Sequence, residues 1–161
     1  MDNMTSNINF LGNYLDKDVF YESNELLLNL FIKKSIFHNS MILFYFEKYS
    51  ENDKSYLQKI LSDVIMSNPV GIWIAGEYSD LVFENLLFLL SILDSPEKDQ
   101  VITGTIESEN TKEVIENFFF TAIPDEFRWD NWKRYLIIGI GSTKFKNNMT
   151  KEIQSFIIRD P

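Results

Sequence analysis

Three glutamates, Glu47, Glu77 and Glu107, each stand directly after a run of apolar residues. Carboxylates gathered at one place can hold a divalent cation through their oxygens. They can also work as a general acid and base. A simpler role competes: acids favour the first turn of a following helix, where the macrodipole welcomes negative charge. The fourth apolar run is followed by Gly141-Ser142 instead. Gly139-Ile140-Gly141-Ser142 is a poor phosphate loop. It lacks a third glycine, a lysine at the Walker position and a clear following helix with an apolar face. Its glycines are read as letting the chain turn at the edge of a sheet.

Other chemistries have little material. The chain has one histidine, His38, and no cysteine. A Ser-His-acid set would have to use that histidine, which precedes the first apolar run. No Gly-x-Ser-x-Gly elbow is present. A zinc site built from histidine and cysteine is excluded. No catalytic set, metal-ligand set or cofactor fingerprint is therefore assigned. The segment from Pro124 to Arg134 stands apart, because it places Arg128, Trp129 and Trp132 among the acids Asp125, Glu126 and Asp130. Tryptophan and arginine dominate binding hot spots, so this segment is a candidate partner surface. The competing role is structural, with the tryptophans closing the end of the sheet and Arg128 paired to a carboxylate.

These residues need elements to hold them. Met41–Phe46, Val70–Ala75, Val101–Ile106 and Tyr135–Ile140 read as four buried strands. Between Glu51 and Ser67, Tyr56, Leu57, Ile60, Leu61, Val64 and Ile65 recur with the period of a one-faced helix. Asn52 or Asp53 can cap it, and Asn68-Pro69 stops it. A second helix runs from Ser79 or Asp80 to about Leu93 and is apolar nearly all round. It is read as a central helix covered by the N-terminal forty residues, whose Phe10, Leu11, Tyr14, Leu15, Phe20 and Tyr21 need somewhere to pack. A homodimer seam is the other reading. A third helix follows Asn110 or Thr111, and Met149–Ile158 suits a final helix. Strands bridged by helices pair in parallel through right-handed crossovers. The expected fold is one α/β domain over residues 1–161, a three-layer sandwich with a mostly parallel sheet of about four strands. Residues 1–40 pack on one side, with Leu26–Ile32 as a short helix or strand.

The 161 residues suffice for one core. Hydrophobic residues make up 45%, so burial alone can drive folding. The net charge of −9 argues against nucleic acid, whose affinity comes from lysine and arginine on phosphates. It also repels anionic membranes. It favours a basic protein partner through long-range steering. The longest apolar stretch, Leu86–Leu93, is far short of the roughly 20 residues that span a bilayer. Met1–Asn9 lack the basic start and apolar run of a signal peptide. The absence of cysteine fits a reducing compartment. A cytoplasmic location is the expectation.

The run from Val70 to Asp80, with Ala122-Ile123-Pro124-Asp125-Glu126 after it, resembles a group of small uncharacterised bacterial α/β proteins. The likeness spans the first to the fourth strand and implies no particular activity. By size and charge the chain also resembles the immunity proteins of bacterial toxin systems, which neutralise a toxin by binding it. No motif carries that likeness, so it transfers no functional residue. The resulting expectation is a binding module, of immunity type, for a basic partner. Its candidate contacts are Glu77, Asp80, Glu107, Glu109, Asp125, Glu126, Arg128, Trp129 and Trp132. The alternative is a small-molecule or metal-dependent enzyme working where Glu47, Glu77 and Glu107 converge.

Overall fold

A computed structural model describes residues 9–22, 36–48, 54–94 and 98–159. Its strands are β1 (Asn9–Tyr14), β2 (Lys17–Glu22), β3 (Ser40–Phe46), β4 (Gly71–Gly76), β5 (Ile102–Ile106) and β6 (Arg134–Ile140). Its helices are α1 (Lys54–Met66), α2 (Ser79–Ile92), α3 (Thr111–Thr121) and α4 (Thr143–Arg159). Lys98–Gln100 and Glu126–Asn131 are short 3-10 turns.

The α/β class holds, but the sheet has six strands and is mixed, in the order β1-β2-β6-β3-β4-β5. The four strands expected from the sequence are neighbours, β6-β3-β4-β5, and pair in parallel with one another. The correction comes from the N-terminal region. It contributes the hairpin β1–β2, antiparallel within itself and joined in parallel to β6 through β2. The hairpin turns on Leu15 and Asp16, both in the left-handed region at φ 51° and 62°. Two such residues make the tight turn whose twist matches paired strands. Asparagine and glycine usually mark that turn, and here neither does.

Each face of the sheet carries a layer of helices. The face of Ile42, Phe44, Ile72, Ile74, Leu136 and Ile138 packs against α1 and α2 through Leu57, Ile60, Leu61, Val64, Val82 and Leu86. The face of Tyr21, Met41, Leu43, Tyr45, Trp73 and Ile137 packs against α3 and α4 through Val114, Phe118, Phe119, Met149, Ile153 and Phe156. Chain direction explains the division. β3, β4 and β5 follow one another outward across the sheet, so right-handed crossovers put α1 and α2 on one face. The step from β5 back to β6 reverses direction and puts α3 on the other.

Three further expectations change. α4 begins at Thr143, directly after Ser142, so a helix with an apolar face does follow the glycines. Its buried stripe is Phe145, Met149, Ile153 and Phe156. Ser79 and Asp80 do not cap α2. Tyr78 occupies the cap at φ 57° with no side-chain cap bond, and Ser79 lies buried in the first turn. The hairpin does not cover α2, because it lies at the opposite edge of the sheet. Tyr14 instead packs edge-on against Phe119 and Phe156, at centroid distances of 5.1 Å each. Leu87, Phe88 and Ile92 of α2 remain exposed among the described residues. The expected cap at Asn52 or Asp53 and the Leu26–Ile32 element lie outside the described residues. The expected cap at Asn110 is present: its Oδ1 accepts from the Glu113 amide at 3.2 Å.

The Tyr21 and Tyr135 hydroxyls are buried without a hydrogen-bond partner among the described residues. Burial lifts both phenols well above the ordinary tyrosine value of 10.0, so they stay protonated. An unpaired buried hydroxyl costs about 1–3 kcal/mol. Tyr135→Phe removes that cost and keeps the ring contacts with Phe119 and Trp132. The expected outcome is a gain of about 1 kcal/mol in urea unfolding. A loss of stability would mean that the hydroxyl has a partner.

Candidate functional site at the carboxyl ends of the strands

Where neighbouring strands send their chains to opposite faces of a parallel sheet, a crevice opens beyond their carboxyl ends. This sheet has two such places. β6 leads to α4 on one face while its neighbour β3 leads to α1 on the other. β4 leads to α2 while its neighbour β5 leads to α3. Both reversals open into a single cleft of about 1150 Å3. Its floor includes Tyr45, Phe46 and Phe145, and its rim carries Glu47, Glu77, Tyr78, Glu107 and Glu109. The three strand-exit glutamates therefore share one rim.

Their environments differ. Glu47 is committed to the fold. Its Oε1 accepts from the Ser142 amide at 2.9 Å, and its Oε2 accepts from the Ser142 hydroxyl at 3.3 Å. The carboxylate therefore occupies the amide-rich N-terminal end of α4, where an exogenous anion would otherwise sit. Gly141 makes room for it: a Cβ there would lie 2.6 Å from Glu47 Cβ. This arrangement gives a physical reason why the Gly139–Ser142 turn is no phosphate loop.

Glu77 is aimed by Gly76. That glycine has φ +100°, and the following Glu77 amide donates to the Phe46 carbonyl at 3.0 Å. Glu77, Glu107 and Glu109 are exposed, as is Tyr78 at 57%. Among the described residues, Glu107 and Glu109 make no ion pair. Between them, the Ser108 hydroxyl donates to the Glu113 carboxylate at 2.7 Å and accepts from the Asn110 amide at 3.1 Å, which ties the rim to the start of α3. Burial, and to a lesser degree the nearby Glu47, raises the Tyr45 phenol above its usual range, opposed by a hydrogen bond with Thr111. Tyr45 is therefore a neutral part of the cleft floor.

The opposite wall went unread in the sequence. Lys144, Asn147, Asn148 and Lys151 of α4 line the cleft. Positions three, four and seven apart share one helix face. The recurrence of Phe145, Met149, Ile153 and Phe156 was the available signal. It fixes the buried stripe, and the stripe fixes which residues face the cleft.

The remaining candidates are placed elsewhere. Asp80 is exposed in the first turn of α2, beside the cleft but not lining it. Asp125, Glu126, Arg128, Trp129 and Trp132 lie at the amino ends of the strands, since their turn leads into β6. Two of them serve the core. Arg128 is 4% exposed and donates through Nη1 to the Gln100 carbonyl at 2.8 Å. Trp132 is 1% exposed, and its Nε1 donates to the Arg134 carbonyl at 3.0 Å. Trp129 is 38% exposed and stands edge-on to Trp132 at 5.2 Å, with the Lys17 ammonium near both rings. A backbone carbonyl is thus among the partners of Arg128.

His38 also sits at the amino ends, donating through Nδ1 to the Ser67 carbonyl at 3.2 Å. It cannot reach the cleft. Among the described residues, no three acidic or histidine side chains are grouped closely enough to hold a metal ion. None of the described helices is long and apolar enough to cross a membrane. Neither a protein-family model, a curated protein nor a solved structure matches the chain.

Proposed function

We propose that the chain is a binding protein whose carboxyl-end cleft receives a cationic segment of a basic partner protein. One observation carries the reading: Glu77, Glu107 and Glu109, from two strand exits, stand exposed around a single cleft. Carboxylates clustered on one rim raise the local encounter rate with the opposite sign. Tyr78 adds an exposed aromatic face at the same rim, suited to packing against the aliphatic stem or charged head of lysine or arginine. The net charge of −9 steers such a partner from a distance. In its full form the reading is an immunity-type inhibitor acting in the cytoplasm, a compartment that suits a chain without cysteine.

An amide-resolved NMR titration of the full chain tests it. The probe is a short lysine-bearing peptide with blocked termini, compared with a neutral peptide of equal length. The expected result is shift changes at Glu77, Tyr78, Glu107 and Glu109 with the lysine peptide alone, shrinking as salt is raised. Equal responses to both peptides, or shifts away from the rim, would refute the reading.

A further inference from the structure

The cleft is not uniformly acidic. Its β4 and β5 exits present Glu77, Glu107 and Glu109, while α4 presents Lys144 and Lys151. Seven residues of helix separate the two lysines by about 10 Å along the axis. Asn147 and Asn148, between them, can donate and accept hydrogen bonds. Among the described residues, neither lysine side chain makes a hydrogen bond or ion pair, and neither does the carboxylate of Glu107 or Glu109. The two signs therefore face one space without neutralising each other directly. A ligand with a single sign of charge would satisfy one wall and be repelled by the other. A ligand carrying both signs, suitably spaced, satisfies both.

We propose that the partner segment taken by this cleft is bipolar. A lysine or arginine meets Glu77, Glu107 and Glu109, and a carboxylate on the same segment meets Lys144 and Lys151. The inference rests on the cleft being the binding site and adds what the segment must carry. Glu47 has no part in it, because its carboxylate is already engaged at the start of α4. Two-signed recognition also supplies specificity. A polycation, which the net charge alone would attract, is penalised at the lysine wall.

The test uses three peptides with blocked termini and equal length. One carries two lysines, one carries two glutamates, and one carries a lysine and a glutamate three or four residues apart. Affinities are measured by NMR titration of the full chain and of its Lys144→Ala/Lys151→Ala variant. Both lysines are exposed, so the variant keeps its core. The expected result is that the bipolar peptide binds the natural chain about tenfold more tightly than the dilysine peptide. The variant loses that preference, and its dilysine affinity stays the same or rises. Equal affinities for the two peptides in the natural chain would overturn the inference and leave the cationic-segment reading intact. So would a preference that survives in the variant. Failure of every lysine-bearing peptide to perturb the rim would overturn both.

Discussion

Gly76→Ala is expected to destabilise the protein by about 4 kcal/mol, a large share of the ~5–15 kcal/mol that holds a domain folded. Two costs add. A side chain at φ +100° is strained, at about 1–3 kcal/mol. The new Cβ would also sit 1.9 Å from the Phe46 carbonyl oxygen, which is backbone of the central strand β3 and cannot step aside. The Phe46 carbonyl is the acceptor for the Glu77 amide, so any shift that relieves the clash also turns Glu77 away from the cleft. Chemical denaturation should show the loss. NMR shifts in the variant should be largest at Phe46, Glu77 and Tyr78. A variant as stable as the parent would mean that β4 leaves the sheet by another path.

Reversing the acidic rim should have the largest effect on binding. Glu77→Lys/Glu107→Lys/Glu109→Lys changes the net charge from −9 to −3, since each replacement removes one negative and adds one positive charge. At about 1 kcal/mol for each reversed surface charge, affinity for a lysine-bearing peptide falls roughly 100-fold. All three positions are exposed, so the melting temperature should change little. Asp125→Lys/Glu126→Lys is the control. It also reduces the net negative charge, but at the amino ends of the strands, and should weaken binding only through the weak, salt-screened field of the whole molecule. If the two variants bind equally well, overall charge governs association and the rim has no special part.

Legibility in the sequence followed burial. β3, β4 and β6 are covered on both faces, so each reads as a near-continuous apolar run. β5, an edge strand of sequence ITGTI, is half-buried over most of its length and reads more weakly. The crossover helices between them read cleanly because each buries one stripe, as Leu57, Ile60, Leu61, Val64 and Ile65 do in α1. The β1–β2 hairpin did not, for three local reasons. β1 is an edge strand, with Asn9, Phe10 and Asn13 exposed. Its pairing is broken by a register shift between Phe10 and Gly12. Its turn uses leucine and aspartate where glycine or asparagine is the usual sign. The start of α4 was hidden by Lys144, Lys146, Asn147 and Asn148, which surround the buried Phe145.

The site was legible to the same degree. The strand-exit rule needs only strand ends and direction, and it brought Glu47, Glu77 and Glu107 to one rim. It could not tell that Glu47 would be held by Ser142, because that bond joins residues 95 positions apart. The lysine wall was missed with the start of α4. At the other end of the sheet, composition alone could not separate Trp129 from Trp132. One lies 38% exposed and the other 1%, and only the packing of the turn against β6 distinguishes them.

The central claim is that a partner enters at the carboxyl ends of the strands. A lysine-bearing peptide tagged with a nitroxide tests it most directly, because signal loss in the protein spectrum falls steeply with distance from the label. The account predicts broadening at Glu77, Glu107, Asn110 and Asn148, with Trp129 and Glu126 untouched. Broadening centred on Trp129 and Glu126, or spread evenly over the surface, would contradict it.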